Sequence, residues 1–294
     1  MYTPTLNSYF SGAGLLDIGL MAAGIDIQQS YEIDKAAASV QRHNLDHEVI
    51  TSDITAKLVG DENRADVMAF TYPCTNYSTI GDIHGVRTGD DLYLHALRHM
   101  AVAQPEVYVL ENVPGMKAFP IVMEAMTKMP NYWVEVFCPI KSQTWLPQRR
   151  DRLIIMASKK PFDWRPPADR KAIRLKDIVE AEPRITLPGA IRARMGGEYR
   201  DLPIISDPEK DDLAPTCVAH YAKDKSTRLL ADKAYPMGVR PYSVREYARL
   251  QGVPDWFEFT CSDTNAYKQI GNGVSVPVGQ WIGEELLRYF NHAH

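Results

Sequence analysis

Thr5-Leu-Asn-Ser-Tyr-Phe10-Ser-Gly12-Ala13-Gly14-Leu-Leu-Asp17-Ile-Gly19 runs from a short apolar segment through a glycine pair into a helical pattern. Strand, turn and helix in that order open a βαβ unit. Two glycines at this point allow a tight turn and close backbone approach to a ligand at a helix amino terminus. A dinucleotide fingerprint would have a third glycine three residues after Gly14. Asp17 stands there instead, a poor neighbour for a pyrophosphate, so the turn favours an uncharged or cationic cofactor.

The same alternation continues to about Ser158, which predicts an α/β fold on a parallel sheet. Strands are expected at Leu6–Phe10, Gln28–Tyr31, Val67–Thr71, Val107–Leu110, Trp133–Phe137 and Leu153–Ala157. Helical spacing marks Leu15–Ala23, Lys35–His43 and Leu92–Ala103. The pattern breaks at Pro161, where Phe-Asp-Trp-Arg-Pro-Pro opens a stretch rich in Pro, Gly and Arg. A first domain over residues 1–162 and 262–294 and a smaller, irregular one over 163–261 are therefore expected. The segment from Val276 to Phe290 reads as an amphipathic helix able to pack back on the first domain.

With 45% hydrophobic and 24% charged residues in 294, the chain has the composition of an ordinary globular protein. It has no apolar run of the roughly 18 residues a membrane span needs and no signal-peptide pattern at its start. Four cysteines lie far apart with no C-x-x-C pair, so they read as free thiols of a cytoplasmic protein, and no metal site is expected. The net charge of −4 hides an asymmetry. Between Lys141 and Arg200 there are 15 Lys and Arg against 7 Asp and Glu, which leaves −12 for the remainder. Such segregation suits a polyanion-binding face on an acidic body.

Chemistry-bearing residues gather at the expected strand ends, where ligands bind in open α/β sheets. Asp66-Val-Met-Ala-Phe-Thr-Tyr-Pro73-Cys74 drives an apolar strand into a thiol. A lone cysteine is more often a buried structural group, so its neighbours decide the reading. Val107-Tyr-Val-Leu-Glu111-Asn112 ends an apolar run on a carboxylate, which is either salt-bridged or working. Beside an apolar pocket its pKa would rise and it could donate a proton. Arg150 and Arg152 alternate in an extended segment and would face one side, where two guanidinium groups can grip a carboxylate or phosphate. Glu32 falls twenty residues after Gly12, where a carboxylate accepts ribose hydroxyls. Asp53 could accept from an adenine amino group, so an adenosine-containing cofactor is expected.

The ordered set FSGAG, YEID, SDI, PCTNYS, ENVPG, QRRDR, VREYARLQGVPD and QIGNGV resembles the successive motifs of the cytosine carbon-5 DNA methyltransferases. The likeness covers about the first 160 and the last 55 residues, and the segment from about Arg165 to Val239 falls where that family has its target-recognition region. It implies a Rossmann-like S-adenosylmethionine-dependent methyltransferase sheet, S-adenosylhomocysteine as product, and a cytosine flipped out of duplex DNA as substrate. It implies catalytic roles for Cys74, Glu111, Arg150 and Arg152. Cofactor contacts would come from Phe10 on the adenine, Gly12, Ala13, Gly14, Glu32, Ile33, Asp53, Ile54, Pro73, Asn272 and Val274. Ser78–Asp91, with Gly81, Gly85 and Gly89, resembles the family's mobile loop. A monomer is expected in a bacterial or phage-infected cell, with a cognate restriction endonuclease that forms no stable complex with it.

Three positions depart from the family pattern. Tyr72-Pro73-Cys74-Thr75 stands where Pro-Pro-Cys-Gln is usual, Gly273 where the family has Ser or Ala, and Asp90-Asp91 where it has Arg-Gly. The first two border the cofactor and base pockets, so an atypical alkyl donor is one alternative. Methylation of tRNA is another. Its branch usually carries Cys-Phe-Thr before the last motifs, and this chain has Phe259-Thr260-Cys261. A nucleotide-dependent oxidoreductase is disfavoured by Asp17, Cys74 and Glu111, and a catalytically dead DNA-binding module by the intact Cys, Glu and Arg set.

Overall fold

The computed structural model describes residues 2–73, 92–168, 172–196 and 203–293. Cys74, Thr75 and the Ser78–Asp91 stretch lie outside them. The chain divides into two compact units. One comprises Met1–Ile140, Asp151–Ala168 and Val276–His294, and the other Lys141–Arg150 with Asp169–Ser275.

The first unit is built on β1 (Thr5–Tyr9), α1 (Leu15–Ala23), β2 (Asp26–Glu32), α2 (Lys35–Asn44), β3 (Glu48–Thr51), β4 (Val67–Phe70), α3 (Leu92–Ala103), β5 (Val107–Asn112), α4 (Pro120–Thr127), β6 (Trp133–Lys141) and β7 (Asp151–Ser158). The strands form one seven-stranded sheet in the order β3-β2-β1-β4-β5-β7-β6. Pairing is parallel from β3 through β5. The order reverses direction between β1 and β4, which opens a crevice beyond their carboxyl ends. Parallel pairing ends at the other edge, where β7 runs antiparallel to β5. The 142–150 connection from β6 to β7 is shorter than the dozen or so residues that a parallel crossover needs. Two elements were absent from the expected set. β3 is a four-residue strand and α4 a two-turn helix, and both are too short to display a period.

Apolar residues on the central strands build the core. Met68, Phe70, Tyr108, Leu110, Leu153 and Ile155 are all buried in one cluster with Met100 of α3 and Met126 of α4. Tyr9 lies between Tyr31 and Phe70, with ring centroids 4.9 and 4.6 Å away. Each such side chain contributes roughly 1.5–3 kcal/mol on burial. The amphipathic carboxyl-terminal segment is indeed a helix, Val276–Ala293. It packs against α1 at very close range. A Cβ added at Gly19 would lie 2.2 Å from the Val276 carbonyl, and one at Gly279 2.5 Å from that of Leu16. Small residues are what bring the two backbones together.

The second unit is less irregular than its composition suggests. Short helices α5 (Leu175–Ile178) and α6 (Ala190–Gly196) precede strands β8 (Ile204–Ser206), β9 (Arg228–Ala231) and β10 (Val239–Pro241). The strands pair in the order β10-β9-β8. Helices α7 (Val244–Arg249) and α8 (Asp263–Asn272) follow, so α9 denotes Val276–Ala293. Tyr221, Tyr242, Tyr247 and Tyr267 are buried together, with Tyr221 stacked on Tyr247 at 4.7 Å. Tyr267 ties α8 to this cluster by donating to the Tyr242 carbonyl at 2.7 Å. Arg240, wholly buried, bonds both oxygens of Glu246 at 2.7 Å and Asp232 at 2.6 Å. Glu246 also closes a capping box with Ser243 at the start of α7. A buried guanidinium is tolerable only when paired in this way.

Candidate active site

The crevice at the β1/β4 switch begins with Phe10, whose φ of 60° is left-handed. A bulky residue held there costs on the order of 1–3 kcal/mol, a strain typical of ligand sites. Gly12 (φ 60°) and Gly14 (φ 82°) complete the turn into α1. A Cβ at Gly12 would meet nothing within 4 Å among the described residues. At Gly14 a Cβ would strike Leu45 and Gln41 at 2.8 and 3.0 Å. The turn is thus seated on α2.

Glu32, at the end of β2, accepts from the Gly12 amide and the Asp34 amide, each at 2.7 Å. Burial pushes its carboxyl above the usual carboxylate range, against the lowering effect of those amides. A carboxylate has four lone-pair positions, and three amides, those of Gly12, Asp34 and Ile33, bear on this one, which leaves it an acceptor position for a hydroxyl. Asp53 is exposed and accepts from the Thr55 amide at 2.9 Å, a bond that holds its carboxyl below the ordinary value. Ala13 and Ile54 are buried, whereas Ile33 is 63% exposed beside Glu32. These groups are uncharged, apolar or acceptors, a set that fits the adenine and ribose of an adenosine cofactor.

Asp17 does not face this space. It is wholly buried and accepts from Ser8 Oγ (2.7 Å), Ser30 Oγ (2.9 Å) and Gln41 Nε2 (2.7 Å). Gln41 Oε1 in turn accepts from Ser11 Oγ at 3.0 Å. The carboxylate therefore anchors the turn from beneath and does not repel a phosphate in front of it. A negative charge in the first turn also suits the helix dipole.

At the next strand ends, Glu111 and Arg152 come together. Arg152 Nε lies 2.8 Å from Glu111 Oε1, and both side chains are about nine-tenths buried. The register explains the pair. Glu111 stands opposite Ile154 of β7, and Arg152, two residues before it, projects from the same face. Because β7 is antiparallel, its beginning meets the end of β5.

Arg150 is used otherwise than expected. It is only 2% exposed and belongs to the second unit. Its Nη1 donates to the Cys217 carbonyl at 3.0 Å, and its Nη2 to those of Gly271 and Gly273 at 3.1 and 2.7 Å. A guanidinium engaged with three main-chain oxygens orders the Gly271–Gly273 segment and does not share a ligand grip with Arg152. Asn272 is exposed within that segment, and Val274 is buried just after it.

Three residues outside the expected set shape the first unit's crevice. Asn112 Nδ2 donates to the Tyr72 carbonyl at 3.2 Å while its Oδ1 accepts from the Val113 amide at 2.9 Å. The end of β5 is thereby tied to the residue before exposed Pro73. Thr71 Oγ1 donates to the Phe10 carbonyl at 2.9 Å. Arg98, on α3, caps the carbonyls of Ile54, Thr55 and Lys57 around the Asp53 loop. An amide ending an apolar strand is a visible signal for Asn112, but Thr71 and Arg98 carry none. Cys138, Cys217 and Cys261 form no disulfide among the described residues, and no helix among them is long and apolar enough to cross a membrane.

The C-5 cytosine-specific DNA methylase family model matches residues 5–288. The Type II methyltransferase M.Sau96I of Staphylococcus aureus is 27% identical over 96% of this chain and 75% of its own length. The Type II methyltransferase M.NlaX of Neisseria lactamica is 28% identical over 94% of each. Among solved structures, the Entamoeba histolytica methyltransferase EhMeth superposes with a TM-score of 0.82 at 16% identity, over 99% of each chain.

Proposed function

The chain belongs to the C-5 cytosine-specific DNA methylase family, and from that premise we propose that it methylates cytosine in duplex DNA through a covalent Cys74 adduct. The observation that carries this reading is the buried Glu111–Arg152 pair, one strand away from the segment that leads into Cys74. Asn112 holds those two strand ends together.

S-adenosylmethionine would supply an electrophilic methyl group on a sulfonium. Phe10, Gly12, Ala13, Gly14, Glu32, Ile33, Asp53, Ile54 and Pro73 would hold it, and the family resemblance adds Asn272 and Val274 to the residues proposed to bind it. Glu32 accepts the ribose hydroxyls and Asp53 the adenine amine. Cytosine carbon 5 is a weak nucleophile until carbon 6 is saturated. The Cys74 thiolate therefore adds to carbon 6, while Glu111 holds ring nitrogen 3 and delivers a proton to it. Electron density released by that addition makes carbon 5 the nucleophile that takes the methyl group. S-adenosylhomocysteine would leave as the methyl group is taken, and loss of the carbon 5 proton to solvent, with return of the ring-nitrogen proton to Glu111, would expel the sulfur as the Cys74 thiolate and restore the aromatic ring. Arg152 orients Glu111, and its guanidinium helps to position the base and to stabilise charge near Cys74. Arg150 acts at one remove, by ordering the segment that carries Asn272.

The residues 163–261 are proposed as the target-recognition portion, and the basic stretch between Lys141 and Arg200 as the part that meets phosphates. A role beside a restriction endonuclease is inferred from the Type II relatives. Methylation of tRNA and use of an unusual alkyl donor are the competing readings, and substrate competition between DNA and tRNA separates the first of them.

Incubation with DNA containing 5-fluorocytosine and S-adenosylmethionine tests the adduct. A denaturant-stable complex is expected with wild-type protein and none with Cys74→Ser, because fluorine cannot leave as a proton does. Full turnover by Cys74→Ser would sink the assignment of the nucleophile.

A further inference from the structure

Tyr72 stands where the family usually has proline, directly before Pro73. It is 3% exposed, and its ring meets Phe10 edge-on at 6.3 Å and 74°. Its hydroxyl donates to Met116 Sδ at 3.2 Å, and its carbonyl accepts from Asn112 Nδ2 at 3.2 Å. The ring is thus held from both ends, by β5 and by the segment after it. Phe10 needs a brace of this kind. Its backbone is left-handed, its side chain is only half-buried, and the Thr71 hydroxyl already pins its carbonyl at 2.9 Å.

We propose that Tyr72 is a positioning residue of the methyl-donor site, bracing the Phe10 ring so that it presents a fixed face to adenine. The proposal rests on the reading of Phe10 as the adenine-stacking residue. An edge-to-face contact favours one ring orientation through the aromatic quadrupoles, which a pyrrolidine at position 72 could not do. Ordering the ring before the ligand arrives reduces the entropy lost on binding. The effect should therefore fall on donor affinity and leave the chemical step almost untouched.

Calorimetric titration with S-adenosylhomocysteine, with thermal melting of each ligand-free variant, tests this directly. Tyr72→Leu should weaken binding about tenfold, and raise the KM for the donor by a similar factor with kcat nearly constant. Tyr72→Phe keeps the ring edge and should remain within about threefold of wild type. In the Phe10→Leu background, Tyr72→Leu should add little, because the ring that it braces is gone. Unchanged affinity in Tyr72→Leu, alongside a marked loss in Phe10→Leu, would overturn the proposal alone. Unchanged affinity in Phe10→Leu would overturn the stacking reading and the proposal with it. If Tyr72→Leu fails to fold, wild-type protein labelled with 3-fluorotyrosine provides the answer. The Tyr72 fluorine resonance, assigned by its disappearance in Tyr72→Phe, should shift on S-adenosylhomocysteine binding, and a stationary resonance would refute the brace.

Discussion

Arg152, at the start of β7, pairs with Glu111, near the end of β5, because the two strands run in opposite directions. In a wholly parallel sheet these residues would lie at opposite ends of their strands, some 15–20 Å apart for strands of this length. The reversal of one strand is what delivers a guanidinium to the carboxylate that the proposed chemistry uses. It does so next to the β4 end, from which the chain proceeds to Cys74.

Removal of either partner should cripple methyl transfer without unfolding the protein. Glu111→Gln and Arg152→Ala are each expected to lower the single-turnover rate on duplex DNA by roughly 10²–10³-fold. Arg152→Lys should retain part of that rate, having the charge without the planar fork. The double variant should be no slower than the worse single one, since the two act as a unit. Transfer of a tritiated methyl group measures all four.

Glu32 predicts a pH dependence of cofactor binding. Burial raises its pKa, and a protonated carboxyl offers fewer acceptors to a ribose. Affinity for S-adenosylhomocysteine should therefore fall as pH is lowered, with a midpoint above the ordinary glutamate value. Glu32→Gln should bind weakly and flatten this profile. The stability effect has the opposite sign. The native state keeps this proton to higher pH than the unfolded chain does, so stability declines as pH rises through the raised pKa. In Glu32→Gln that decline should shrink, as urea titrations across the same range will show.

Arg150→Met removes the donors but keeps most of the volume. Three carbonyls of the second unit, those of Cys217, Gly271 and Gly273, then lose a charged partner. A cost of about 2–5 kcal/mol is expected. Hydrogen exchange should speed up in peptides spanning 266–275 and remain unchanged across β1, β4 and β5.

Gly19→Ala should be among the most damaging small changes in the chain. The new Cβ would sit 2.2 Å from the Val276 carbonyl and 2.6 Å from the Gln280 amide, both backbone atoms of α9. The helix must be displaced, at a cost of about 1–3 kcal/mol or more. A lowered melting temperature in calorimetry checks this, and a neutral substitution would contradict the close packing.

Much of this molecule could be read in one dimension because its signals are local. The Gly12–Gly14 turn, the bounds of α1 and α3, the apolar strands and the amphipathic tail each follow from spacing within a few residues. Glu32 stands out by its spacing from Gly12, and Glu111 as an acid closing an apolar run. What the linear pattern could not convey is strand direction and the use of buried polar groups. The alternation of Asp151–Ser158 is the same whichever way the strand runs, and only pairing with β5 brings Arg152 to Glu111. Arg150 and Arg152 look alike as a pair in sequence, yet one is engaged by three carbonyls and the other by a carboxylate. Asp17, an awkward acid beside a glycine turn in sequence, becomes the anchor of that turn once Ser8, Ser30 and Gln41 converge on it. Periodicity along a chain reports which face a residue occupies. The partner waiting on that face comes from distant segments, and folding alone brings them there.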